Sequence, residues 1–406
     1  MGAGKTSAAI NYMNKHTWKK FIYVAPYLDE TARIKEACKK IKFVEPSDSF
    51  GPYHTKSAHA LALIQEGRNI TTTHSLFQRF TDEMVQEVRK QHYVLIVDES
   101  LTAMDKRDVT QEDIEVAEAA GFVTFENGMY KRTDKQYNGE WKGLRDLLEF
   151  MEIRDLAQVI DKLGVHIYYW ALPPSLLLAF DDVFILTYMF TGQGLYYYLK
   201  MQDIDFRYIG VDMKKSGKYE FGEYPGRMPD YVRELKDKIH IIDHKKLNLL
   251  GKGRYALSKH WYSTREDKEK DRVSKNIYNY FHNIAKGSTS SNRMIGGYEE
   301  TRKYVNNAGY SKSFTMFNLR ATNDYRDKQY LAYLANPFMN VGIRQFFNSH
   351  GVKPDQDAYA LSILVQWIWR SAIRDGGEIT IYLPSERMRK LLTKWIESLE
   401  SKEVAA

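Results

Sequence analysis

Cysteine is nearly absent: Cys38 is the one thiol in 406 residues. A single thiol cannot close an internal disulfide, which excludes a disulfide-stapled secreted scaffold and points to a reducing cytoplasm. Metal-ligand spacing is missing as well. The eleven histidines form no H-E-x-x-H pattern and there is no C-x-x-C, so a structural zinc site is not expected. Long apolar runs are also lacking. Residues 163–190 come nearest, but Pro173-Pro174 and Asp181-Asp182 break them well short of the roughly 20 apolar residues a spanning helix needs. Gly4-Lys5-Thr6 stands where a signal peptide would turn from charged to apolar, so no leader is read there. Repeats and low-complexity tracts are absent too.

Apolar residues make up 43% of the chain, enough for two cores at this length. Lys and Arg number 59 against 52 Asp and Glu, and the resulting +7 suits an anionic partner. Helical and strand patterns alternate through the first hundred residues: a helix over 6–16, a strand at 21–26, a helix over 29–41, a strand at 69–73, an amphipathic helix over 76–90 and a fully apolar strand at 93–97. Such alternation predicts an α/β chain with a parallel sheet covered by helices on both faces. Residues 105–165 break the rhythm with acidic helices and a hairpin turning at Asn127-Gly128, and are read as an insertion. Strand patterns resume at 165–172 and 183–190, and residues 191–194 begin a connection. A second alternation follows: strands near 204–211 and 239–242, a helix near 265–285, strands at 293–297 and 313–318, helices through 324–350, a helix over 357–375 and a strand at 378–384. The expected domains are therefore 1–194, carrying the insertion, and 195–406.

Three constellations carry chemistry. Gly2-Ala3-Gly4-Lys5-Thr6 is the second half of a phosphate-binding loop, G-x-x-x-x-G-K-[ST]. Glycine lets backbone N–H groups approach phosphate, Lys5 neutralises β/γ charge, Thr6 serves Mg²⁺, and the helix that follows presents its N-terminus to anions. The first glycine of that motif, and the strand that precedes such loops, are expected upstream of Met1. Asp98-Glu99 ends the apolar strand at 93–97, where active sites of parallel sheets lie. Asp98 is read as a Mg²⁺ ligand and Glu99 as the group that polarises the attacking water; helix capping is the bland alternative. Gln366, Arg370 and Arg374 fall at i, i+4 and i+8 of the expected helix over 357–375, with Asp357 as cap. Two arginines on a mostly buried helix require an anionic partner, either a γ-phosphate or a carboxylate of the same lobe. Trp367 and Trp369 are read as core and interface packing rather than base-stacking platforms.

The serial order GAGKT, FIYVAP, ITTTHSLF, LIVDES, ILTYMFTGQ, FNLRATNDY and QWIWRSAIR resembles the motifs of superfamily-two helicases, more narrowly the DEAD/DEAH-like helicases of bacteriophages and mobile elements. The resemblance implies two RecA-like lobes with ATP and Mg²⁺ between them. It also implies catalytic roles for Glu99, Gln366, Arg370 and Arg374, and contacts to a tracked strand from Pro26, Thr72, Thr73 and His74 in lobe one and from Arg320, Thr322 and Asn323 in lobe two. Thr187 would couple hydrolysis to movement. DNA is favoured over RNA, and a phage-encoded chain would work in the host cytoplasm. The sequence departs from the family at Leu101, the fourth position of the DExx box, at ILTYMF in place of Ser-Ala-Thr, and in the four-residue spacing of Arg370 and Arg374; no adenine-reading Q-motif is visible. Two other readings stay open: a nucleic-acid-binding or regulatory module on a degenerate motor fold, and a packaging-type ATPase-nuclease, which would need a carboxylate cluster for two metals. His54, His59 and His74 are read as satisfied loop or core residues, residues 265–272 as a solvated helix face, and Lys245, Lys246, Lys252 and Arg254 as candidates for a nucleic-acid path.

Overall fold

Strands buried on both faces must be covered by helices, and the first hundred residues supply both. The computed structural model describes residues 2–49, 54–152, 154–160, 163–226, 230–319 and 324–399. Helix α1 (Lys5–Lys15) leads into β1 (Lys20–Ala25), α2 (Leu28–Ala37), β2 (Phe43–Val44), α3 (Lys56–Gln65) and β3 (Asn69–Thr73). The single helix expected over 76–90 is two: α4 (His74–Phe77) and α5 (Asp82–Lys90). Thr81 causes the restart, since its hydroxyl accepts from the Met84 N–H and caps α5, whose first turn is acidic and last turn basic. Strand β4 (Tyr93–Asp98) follows, with Tyr93 to Val97 all buried.

The insertion forms its own antiparallel sheet of β5 (Met104–Arg107), β6 (Val123–Glu126), β7 (Met129–Arg132), β8 (Asp155–Ile160) and β9 (His166–Ala171), in the order β5-β9-β8-β7-β6. Helices α6 (Gln111–Ala119) and α7 (Lys142–Met151) cover it through Ile114, Leu144, Leu147 and Leu148. Asn127 and Gly128 both take positive φ, as a two-residue hairpin turn requires. The apolar run at 165–172 therefore belongs to the insertion, not to the parallel sheet. Strand β10 (Asp182–Leu186) returns to that sheet, whose order is β10-β4-β1-β3-β2 with every pair parallel. Register sets Ala25 beside Thr73 and Asp98 beside Leu186, so the loops carrying the candidate residues leave from one edge.

Strand β10 has one partner among the described residues, β4. Its other side is met by a hairpin, β11 (Ile209–Met213) and β12 (Tyr219–Glu223), of which only the first strand was anticipated. The Phe221 ring stacks on Phe184 with centroids 5.2 Å apart, and Lys15 pairs with Glu220. The second lobe is a parallel sheet of β13 (Ile239–Ile241), β14 (Arg293–Gly297), β15 (Phe314–Met316), β16 (Tyr330–Tyr333) and β17 (Ile379–Tyr382), ordered β13-β17-β16-β14-β15. Strand β16 lies in its middle, where the sequence pattern suggested helix throughout 324–350. The helix Val341–Ser349 follows it and packs Phe346 and Phe347 into the core of the first lobe.

Candidate active site

Gly4 precedes α1 with φ of 72°, and Gly2 has φ of 69°. Both are left-handed conformations that favour glycine. Gly4 also has no room for a side chain, because the Tyr219 ring lies where its Cβ would be. A Cβ on Gly2 would stand 2.9 Å from Trp369 Cζ2, so the second lobe packs directly onto the loop. Asn11 Nδ2 donates to the Tyr219 carbonyl at 3.1 Å and fixes the hairpin on α1. Tyr219 carried no sequence signal, because its role depends on a fold-back of more than two hundred residues.

Asp98 accepts from the Tyr23 hydroxyl at 2.9 Å and from Thr6 Oγ1 at 3.4 Å. Burial pushes its carboxyl up to about 6. Burial also lowers Lys5, against the opposing pull of Asp98 and Glu99. Thr6 and Asp98 thus form a hydroxyl–carboxylate pair of the kind that could hold Mg²⁺. No cluster of three or more His, Cys, Asp or Glu side chains placed to hold a metal ion exists among the described residues.

Glu99 occupies the turn after β4 with φ of 62°, an uncommon value for a side-chain-bearing residue, and its N–H donates to the Leu186 carbonyl at 3.2 Å. Arg370 reaches it from the second lobe: Nη2 donates to Glu99 Oε1, and the two side chains are only 9% and 18% exposed. Glu99 Oε2 and Arg370 Nε are buried and have no hydrogen-bond partner. This pair spans the crevice and keeps two polar atoms uncommitted.

The stripe expected on one helix is not formed. The helix Gln356–Ile368 is capped by Asp355, which accepts from the N–H groups of Asp357 and Ala358, and it ends two residues before Arg370. Arg370 and Ser371 bond back to Trp367 and Ile368, tightening the chain into a turn before the 3₁₀ segment Ala372–Asp375. Gln366 therefore points elsewhere. It lines a cavity of about 320 Å³ with Ser100, Leu101, Gln193 and Asn318, and Lys5 and Thr6 do not line it. Arg374 remains near the crevice: burial lowers it, with further lowering from Arg326, Arg370 and Arg33. Neither Arg33 nor Arg326 was singled out from sequence. Trp367 is fully buried and donates to Thr315, in agreement with a packing role.

Among the strand-contact candidates, Pro26 is half-buried at the end of β1. Thr73 caps α4, accepting from the Leu76 N–H at 3.4 Å, and His74 Nε2 lies 2.9 Å from the Asp98 carbonyl. Thr72 differs from expectation: it is 1% exposed inside β3, so its hydroxyl offers no surface contact. Arg320, Thr322 and Asn323 lie outside the described residues. His59 is buried and accepts from the Ser47 N–H, a satisfied core histidine.

Residues 233–396 match the family described as the YonV C-terminal Rossmann-like domain. Over 410 aligned residues the chain is 34% identical to the SPbeta prophage-derived uncharacterized protein YonV of Bacillus subtilis (strain 168), covering 98% of this chain and 97% of that one. A solved structure titled XPD_Helicase superposes with a TM-score of 0.51 at 10% identity, over 98% of this chain and 93% of that chain. At that identity the likeness is one of fold: a helicase-like arrangement of two α/β lobes. No helix of the described residues is long and apolar enough to cross a membrane.

Proposed function

This chain belongs to the family of the prophage protein YonV, and we propose that it is a nucleic-acid-dependent ATP hydrolase, a helicase or translocase whose two lobes close on Mg²⁺-ATP. The lobes are taken as residues 1–194 and 195–406. The observation that carries this reading is the Arg370–Glu99 pair across the crevice with its two orphaned atoms. A buried pair with unmet hydrogen-bonding capacity is costly to keep for stability alone, and a ligand with anionic oxygens and a polarised water would satisfy both members.

In this mechanism the N–H groups of Gly2 to Thr6 and the Lys5 ammonium bind the phosphates. Thr6 and Asp98 would hold Mg²⁺, which supplies charge neutralisation at the phosphates. Arg370 exchanges Glu99 for a phosphate oxygen, and the freed Glu99 carboxylate orients a water and takes its proton. Arg374, one of several arginines near the crevice, adds positive potential. The +7 charge favours a polyanionic track, with DNA preferred over RNA by the prophage relationship of the relative. Steady-state ATP hydrolysis with and without single-stranded DNA tests the assignment. Turnover should rise with DNA and fall at least about a hundredfold in Lys5→Ala and in Glu99→Gln. Equal turnover in the wild type and both variants would sink it.

The alternative, a nucleic-acid-binding module without hydrolysis, draws support from Tyr219 and Trp369 lying against Gly4 and Gly2. It predicts no turnover in any variant.

A further inference from the structure

Three stretches of chain, around Arg107, from Phe150 to Arg154 and around Trp170, bring cations and aromatic rings together where the insertion meets the first lobe. Arg107 comes from β5, Phe150 from α7, Arg154 from the turn before β8, and Trp170 from β9. The Arg107 and Arg154 guanidinium carbons stand 4.2 Å and 4.7 Å from the Phe150 ring centroid, and Arg154 lies 5.8 Å from Trp170. Arg154 Nη2 donates to the Gln78 carbonyl at 2.7 Å, which sets Arg79, just past α4, beside the group. Burial and the repulsion of Arg79 and Arg107 bring Arg154 down to about 10. The nearest acids along β5 are turned to other partners: Asp108 pairs with Lys106 at 3.2 Å and Asp105 accepts from the Lys106 N–H. None of the three arginines has a carboxylate in an ion pair among the described residues.

A cluster of like charges, one of them half-buried, raises the free energy of the empty protein and is relieved by an anion. Ordinary ion-pair chemistry does not explain it. Half-exposed rings interleaved with guanidinium groups are what unstacked bases and a phosphate backbone jointly require. The location adds direction, since Arg79 lies one short helix beyond Thr73 and His74, the segment whose His74 touches the Asp98 carbonyl. We propose that Arg79, Arg107 and Arg154, with Phe150 and Trp170, form a binding site for single-stranded nucleic acid at the junction of the first lobe and its insertion. This names the partner-binding surface of the motor described above and rests on that reading for its purpose.

The test is fluorescence anisotropy of a labelled oligo-dT strand titrated with the full chain over a series of salt concentrations. Arg79 and Arg107 are exposed, so R79A/R107A leaves the core intact, and circular dichroism checks this. The double variant should bind at least about tenfold more weakly, and the slope of log affinity against log salt should fall by about 1.4, roughly 0.7 for each phosphate no longer neutralised. R79K/R107K, which keeps the charge, should recover most of that slope. Unchanged affinity overturns the proposal, as does weaker binding with an unchanged slope, or a wild type that binds no strand at low salt. Binding of a fluorescent ATP analogue to the wild type is measured alongside. Nucleotide binding without strand binding overturns this proposal and spares the nucleotide site; strand binding through these arginines without nucleotide binding does the reverse.

Discussion

Removing one member of the Arg370–Glu99 pair should cost far more than a surface charge would. Both side chains are largely shielded, at 9% and 18% exposure, and each belongs to a different lobe. Arg370→Ala strands the Glu99 carboxylate in the crevice, and losing one partner of a buried pair costs about 3–5 kcal/mol. The remaining exposure of Glu99 and the nearby Lys5 ammonium soften that penalty, so about 2–3 kcal/mol is expected here. Glu99→Ala should cost a similar amount, because it strands the Arg370 guanidinium, 9% exposed, and alanine keeps the Cβ that strains the left-handed backbone at φ 62°. The two changes should then couple, with a double-mutant interaction of about 2 kcal/mol. Urea denaturation followed by circular dichroism supplies all four corners of the cycle. Additivity within about 0.5 kcal/mol would refute the reasoning, since independent residues cannot be exchanging a bond across the crevice.

Asp98 gives a pH-dependent test. Its folded carboxyl stands at about 6, above the ordinary unfolded value of about 3.9, so the native state resists ionisation and stability falls as pH rises through that window, by about 3 kcal/mol in all. Asp98→Asn should therefore melt higher than the wild type above pH 6 while losing Mg²⁺-dependent nucleotide binding, and the melting advantage should vanish below pH 4; parallel stability–pH curves would contradict this. Gly4→Ala combines an unfavourable φ of 72° with the Tyr219 ring, and should cost about 2 kcal/mol in thermal unfolding, falling to about 1 in a Tyr219→Ala background. Thr73→Ala should cost about 1 kcal/mol through the lost cap of α4, read from the same melts.

Legibility in the sequence followed the range of the interactions involved. β1 and β4 announced themselves because two buried faces leave a continuous apolar run with sharp ends, β3 because its Ile and Thr residues are β-branched, and α1 because glycines and a Gly-Lys-Thr start it. The glycine turn before α1 and the Asp98-Glu99 turn after β4 were therefore readable one by one. Strand β16 was not: its four residues are as apolar as a helix face, and only pairing with β14 and β17 makes them a strand. The Gln366–Arg374 stripe failed for a local reason, the helix ending at Ile368, which periodicity alone does not reveal because Trp369 to Ile373 remain buried. Arg370 nonetheless reaches Glu99, from a turn rather than from a helix face. Tyr219, Tyr23, Arg33 and the arginine group around Phe150 were invisible, each defined by chain segments that meet only in the folded protein.

The central claim is that both lobes grip one triphosphate, and calorimetric titration of Mg²⁺ with ATPγS and with ADP tests it most directly. The wild type should bind both, and Arg370→Ala should lose at least about tenfold in ATPγS affinity while ADP binding changes little, because the proposed partner of the arginine is the terminal phosphate alone. Equal loss for both nucleotides, or no nucleotide binding to the wild type, would contradict the account.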